Sequence, residues 1–201
     1  MISSICNEVF HQCVKDYHEH NNVDAALQNP HEAGSLQHLF YRKNFIDTVQ
    51  WHLEDIVRDP NIDPVAGLEL KRRIDRSNQE RTDLVEQIDD HFIVKYKDII
   101  PHDDATLNTE SPAWAIDRLS ILVLKIWHMR EEAERVDASD EHRKKCADKL
   151  VILLDQQKDL SKSIDELLHD IVAGKKKIKV YRQMKMYNDP ALNPVLYNQK
   201  A

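Results

Sequence analysis

The chain has 201 residues and a formal net charge of −7, with 31% charged side chains and only 3 Gly. An acidic chain as a whole is repelled by nucleic acid and by anionic membrane surfaces, so no nucleic-acid partner is expected. Scarce Gly leaves little material for β-hairpins or glycine-rich phosphate loops, and the length suits one domain with a sizeable core.

Five helices are expected. The first runs from about Ser4 to His20, with Ile5, Val9, Cys13 and Tyr17 on one stripe. A loop from Asn21 to Gly34 follows. The second helix runs from about Ser35 to Arg58, where Leu36, Leu39, Ile46, Val49, Leu53 and Ile56 recur every three or four residues and Lys43 is the one polar member of the stripe. Asp59-Pro60 and Asp63-Pro64 end it and open the third, from about Pro64 to Tyr96. The fourth begins with Ser111 as N-cap and Pro112 at the first helical position and continues to about Val136. The fifth begins near Ser139 and ends at Gly174 as C-terminal cap. The expected fold is all-α: an antiparallel bundle of about four long helices, with the N-terminal helix packed outside. Residues 1–187 form a single helical domain in this reading, and 188–201 an extended C-terminal tail.

Charged groups interrupt stripes that should be buried. From Ala113 to Met129 almost every side chain is apolar, so the fourth helix is expected to be buried nearly all round. Yet Asp117, Lys125 and His128 are read as one stripe, with Arg118 beside it. That stripe is either a narrow solvent face or the lining of an internal polar pocket, and Trp114 and Trp127 leave little room for a broad wet face. In the third helix Asn78 and Arg81 interrupt the apolar stripe between Ile74 and Val85, flanked by Arg72, Asp75 and Asp83. A guanidinium at a core position requires a carboxylate or an anionic ligand, because it stays charged. In the second helix His52, Asp55 and Arg58 follow one another at one-turn spacing, either as a surface ladder or at the mouth of the same pocket.

A di-iron bundle needs two Glu-x-x-His segments, and only Glu166-Leu167-Leu168-His169 fits. His18, His20, His52, His128 and His142 are scattered in sequence, so no metal and no cofactor are expected. Nor is nucleophilic catalysis, because no Cys sits beside a His and no Gly-x-Ser-x-Gly elbow occurs. Cys6 and Cys13 are two helical turns apart, about 10 Å, too far to bridge. Reduced thiols, and the lack of a basic region followed by an apolar run in Met1 to Cys13, point to a cytoplasmic protein. The apolar stretch Ile116 to Met129 is too short and too charged to span a bilayer. Segment 175–187 carries Lys175, Lys176, Lys177, Lys179, Arg182 and Lys185 with no acid. It reads as a solvated C-terminal helix, or as a docking strip for an acidic protein partner or a membrane surface.

Three segments carry a resemblance. They are Trp51-His52-Leu53-Glu54-Asp55-Ile56-Val57-Arg58, Lys71 through Asp83, and Asn108-Thr109-Glu110-Ser111-Pro112 followed by Ile116 through Leu122. The chain is similar in these to a bacterial family known as domain of unknown function 4254. Ala113 stands where that family's pattern leads one to expect Gly. The resemblance implies an all-helical fold and a tie to cell-envelope glycan assembly, because such genes tend to neighbour glycosyltransferases. It implies no activity and carries over no catalytic residue.

Two functions from different classes follow. In the first, a pocket between the second, third and fourth helices binds an anionic small molecule such as a phosphosugar or nucleotide sugar. Arg72, Arg81, Arg118 and Lys125 neutralise it, Asn78 lines it, His52 or His128 acts as acid or base, and Asp55, Asp75 or Asp117 orients them. In the second, the domain is a non-enzymatic scaffold partnering a glycosyltransferase, and the same charges form structural pairs. Convergence of Arg81, Arg118 and Lys125 on one cavity favours the first, and one-to-one matching with Asp in a closed core favours the second.

Overall fold

The structure is a computed structural model and describes residues 1–184, 186 and 189–198. Its helices are α1 (Ile2–His20), α2 (Leu36–Val57), α3 (Pro64–Lys95), α4 (Pro112–Glu134), α5 (Asp140–Val172) and the one-turn α6 (Pro194–Tyr197). The described residues include no strand, so the fold is all-α as expected.

Side chains that satisfy otherwise orphaned N–H groups set the helix starts. Ser35, Ser111 and Ser139 accept from the backbone N–H three residues on, and Asp63 accepts from Val65 and Ala66. Each such cap is worth about 1 kcal/mol. Asp89 adds a second hold on the start of α4. It accepts from Ser111 Oγ (2.6 Å) and from the Ala113 N–H (3.1 Å), tying α3 to the helix end where negative charge is favoured.

α4 is the hub and packs against α1, α2, α3 and α5. This explains why it is apolar around most of its circumference: Ile116, Leu119, Leu122, Val123, Leu124 and Ile126 are all buried, against different neighbours. The first helix is not an outer addition. Cys6, Val9, Phe10, Cys13, Val14 and Tyr17 are buried, and α1 packs on α2, α4 and α5. The expected stripe has a second row one position along it, giving a face wide enough to enter the core. At its start the Ser3 N–H and Oγ donate to the Asp165 carboxylate on α5. All three cysteines are free and buried.

The segment after α5 differs from the solvated helix read from the sequence. Gly174 has φ 72°, and a Cβ there would stand 3.0 Å from His102 Cδ2, so Gly is required where the chain turns. Beyond it the chain is extended and straps onto the loop after α3: Thr106 N–H donates to Lys175 O (3.0 Å) and Lys177 N–H to Thr106 O (2.9 Å). Arg182 then pairs with Glu86 (3.2 Å) and Asp90 (2.5 Å) on α3. Part of the basic segment thus meets acids of its own chain instead of forming a solvated helix. Lys185 and Tyr187 lie outside the described residues. The tail expected to be extended contains the one-turn helix α6. No helix among the described residues is long and apolar enough to cross a membrane.

Candidate functional site

Four charged groups meet between α2, α3 and α4. Lys43 is 0% exposed, an extreme position for an ammonium. Its Nζ contacts Asp47 one turn along α2 and lies 2.9 Å from Asp117 Oδ1 on α4. Arg81 on α3 grips Asp117 with both edges of its fork, Nε to Oδ1 at 3.0 Å and Nη2 to Oδ2 at 2.6 Å, and its Nε is also 3.2 Å from Asp47 Oδ1. Ser120 Oγ donates to Asp47 Oδ2 (2.6 Å), and Asn44 Nδ2 donates to Ser120 Oγ (3.0 Å). Two cations face two carboxylates, which is what burial at this depth demands. Burial lowers the proton affinity of Arg81, but Asp117 and Asp47 outweigh it and leave the guanidinium held above its ordinary value. Burial pushes Asp47 up, against the pull of Lys43.

The network forms the floor of a cavity of about 340 Å³. α2 supplies Asp47, Gln50, Trp51, Glu54, Asp55 and, at its C-cap, Arg58, α3 supplies Arg81, and α4 closes it with Ile121 and Leu124. Three carboxylates thus stand against two guanidinium groups, and Arg58 is itself paired with Glu54 at 2.8 Å. Gln50 is fixed by Asn78, whose Oδ1 accepts from its Nε2 (3.0 Å), and by Ser77, whose Oγ donates to its Oε1 (3.2 Å).

The residues expected at one pocket divide. Asp117 and Arg81 form the network, Asp55 lies on the cavity rim with its side chain 62% exposed, and Asn78 acts through Gln50. Arg72 is exposed on α3, and Asp75 pairs with Lys71 on the surface. At 100° per residue Arg72 falls about 180° and Asp75 about 120° from Arg81, so neither shares its face. Arg118 is 63% exposed and pairs with Glu110 at 2.6 Å. Lys125 is exposed and borders a separate groove between α4 and α5. Eight residues is not a whole number of turns, and Lys125 is rotated by about 80° from Asp117. Arg81, Arg118 and Lys125 therefore do not converge.

Neither His52 nor His128 lines the cavity. Both stand behind Trp51, in a box of rings that also takes in His18 from α1. One ring nitrogen from each of His18, His52 and His128 lies within 4.8 Å of the others. Tyr17 stacks on His52 (5.2 Å between centroids), Trp51 on His128 (4.8 Å) and Trp127 on His18 (5.0 Å). His18 Nδ1 donates to Val14 O (2.6 Å), and His128 Nδ1 to Glu131 Oε2 (2.9 Å). His52 Nδ1 has Asp55 Oδ2 at 4.0 Å. Burial holds both His52 and His128 below the ordinary imidazole value; the other histidines add to this, while Glu131 opposes it at His128. The histidines read as scattered thus include three that the fold gathers. Cys146, likewise read as having no histidine beside it, lies 3.4 Å from His142 Nε2. Glu132 meets that same nitrogen at 2.8 Å, so no Cys–His–acid relay is formed.

Fold and site together define an all-helical protein with a neutralised charge network between three helices. A family model described as "Protein of unknown function (DUF4254)" matches residues 37–180, and the chain belongs to that family. No curated protein and no solved structure matches it. The matched span holds the whole network together with His52 and His128, while His18 on α1 precedes it.

Asp47, Asn44, Ser120 and His18 were not singled out by sequence reasoning as site residues. The first had a signal: Lys43-x-x-x-Asp47 places an opposite charge one turn from the polar member of the apolar stripe. His18 had none, because its partners lie 34 and 110 residues away on other helices.

Proposed function

We propose that the protein binds a hydroxylated small molecule of the sugar class in the cavity between α2, α3 and α4. The observation that carries this reading is the cavity's lining: the Trp51 face, with Gln50, Asp47, Asp55 and Arg81 around it. An indole offers a surface to the C–H face of a sugar ring, and carboxylate, amide and guanidinium groups accept from and donate to its hydroxyls. Arg81 and Asp47 are held by buried partners and Gln50 by Asn78 and Ser77, so the site is pre-organised.

The matched charges argue against a bare anion, since no unpaired cation faces this cavity. A phosphosugar fits with its ring over Trp51 and its phosphate outward at Arg58, whose side chain is 65% exposed. A role in glycan assembly, as the family resemblance implies, agrees with such a ligand. The geometry supports binding, and neither His52 nor His128 reaches the cavity wall, so no reaction is assigned.

Thermal-shift measurements with neutral sugars, sugar phosphates and nucleotide sugars test the proposal. A ligand at about ten times its Kd adds about 1.4 kcal/mol, raising the Tm of a chain this size by about 3–5 °C. The shift should vanish in Trp51→Ala and persist in Lys125→Ala. Silence across the whole panel at millimolar concentration overturns the reading.

A further inference from the structure

We infer that His18, His52 and His128 form a binding site for a divalent transition-metal ion, with Zn²⁺ as the reference ion and the three Nε2 atoms as ligands. The site joins α1, α2 and α4, and no part of the argument depends on the cavity or its ligand.

Ring tautomers come first. A backbone carbonyl and a carboxylate only accept, so His18 and His128 must carry their protons on Nδ1, facing Val14 O and Glu131. Their lone pairs are then on Nε2. The Nε2 atoms of all three histidines are buried and have no hydrogen-bond partner. Buried polar atoms are nearly always satisfied, so a shared orphaned atom type in three adjacent rings calls for an explanation. Tyr17 Oη and Trp127 Nε1, in the same box, are also buried without partners. Five of the eight such atoms among the described residues therefore fall here, against one, Asn44 Oδ1, in the charge network.

With the His52 proton on Nδ1, toward Asp55, all three Nε2 lone pairs are free, and lone pairs gathered this closely repel unless a cation stands between them. A metal ion suits the donors. Neutral imidazole nitrogen favours borderline ions such as Zn²⁺ over Mg²⁺ or Ca²⁺, which take oxygen. A tetrahedral ion with 2.0–2.1 Å bonds sets its nitrogens about 3.4 Å apart, so rings already within 4.8 Å close on it by small rotations. The outer contacts match as well: ligating histidines commonly donate their other N–H to a carbonyl or carboxylate, as His18 does to Val14 and His128 does to Glu131. The carboxylate of Asp55 stands 4.0 Å from His52 Nδ1, beyond hydrogen-bond distance, and with Glu131 supplies negative charge toward a dipositive ion.

The experiment uses the full chain without a histidine tag, stripped with EDTA and titrated with ZnCl₂ or CoCl₂. Expected are one ion per chain, visible Co²⁺ d–d absorption of a tetrahedral site, and a Tm rise of about 5 °C or more at a hundredfold excess over Kd. His18→Gln, His52→Gln and His128→Gln should each weaken binding by about 100-fold or more, and Glu131→Gln by about 10–100-fold. The exposed His169→Gln should bind as the parent does. A wild-type readout removes dependence on variant folding: Co²⁺ at this site lies against Trp51 and Trp127 and should quench most of the tryptophan emission. Stoichiometry unaffected by all three ligand variants, bound Co²⁺ that leaves emission unchanged, or no uptake at micromolar metal each overturns the inference.

Discussion

Along α4, Asp117 and His128 are eleven residues apart, three turns on one stripe, and they look onto two opposite kinds of interior. Around Asp117 every charge meets its opposite: Lys43 and Arg81 against two carboxylates, with Ser120 and Asn44 filling in. Around His128 the outward nitrogen is satisfied by Glu131 and the inward one faces other rings with nothing to bond. In the first region the charges are all matched, Asn44 Oδ1 alone lacks a partner, and three helices are held together. The second is ordered from outside, with its inner atoms left over. A matched network serves architecture while presenting Asp47 and Arg81 to the cavity, and a set of unused ring nitrogens marks a place for something else.

Substitutions can break this contrast. The largest effect is expected at Asp117→Ala, which leaves Lys43 buried against a single carboxylate. A loss of about 3–5 kcal/mol should appear in urea unfolding. Replacing a matched pair sharpens the point: Lys43→Met with Asp47→Leu leaves the Arg81–Asp117 fork intact and should cost about 1–2 kcal/mol, well below the sum of its single variants. Next in size is Arg81→Lys, which keeps the charge and loses the fork, at about 1–2 kcal/mol by the same assay. In the metal-stripped protein His128→Phe should change stability by less than about 1 kcal/mol, because no inward hydrogen bond is lost. A cost as large as that of Asp117→Ala would erase the distinction between the regions. Smallest is Arg118→Ala, an exposed pair with Glu110, within about 0.5 kcal/mol.

Much of the fold could be read because it is local. Ser111-Pro112 announces the start of α4, Gly174 ends α5, and the apolar girth of α4 follows from its four neighbours. The need of Arg81 for an opposite charge was also legible, since a guanidinium on an apolar stripe stays charged, though which group supplies it was not. Lys125 was misplaced by treating eight residues as a whole number of turns. The basic strap was misread because Arg182 finds its acids on α3, some ninety residues away. The histidine box depends on how three helices are rotated against one another, which no spacing within a single helix encodes.

The position of α4 at the centre also bears on how the chain is made. Synthesis delivers α1, α2 and α3 before the helix that all three pack against. Phe10, Phe40 and Val85 therefore leave the ribosome with no finished interior to enter, and Lys43 and Arg81 precede the aspartate that joins them. The nascent protein exposes sticky helical faces until residue 134 has emerged, the interval in which a chaperone would find most to hold.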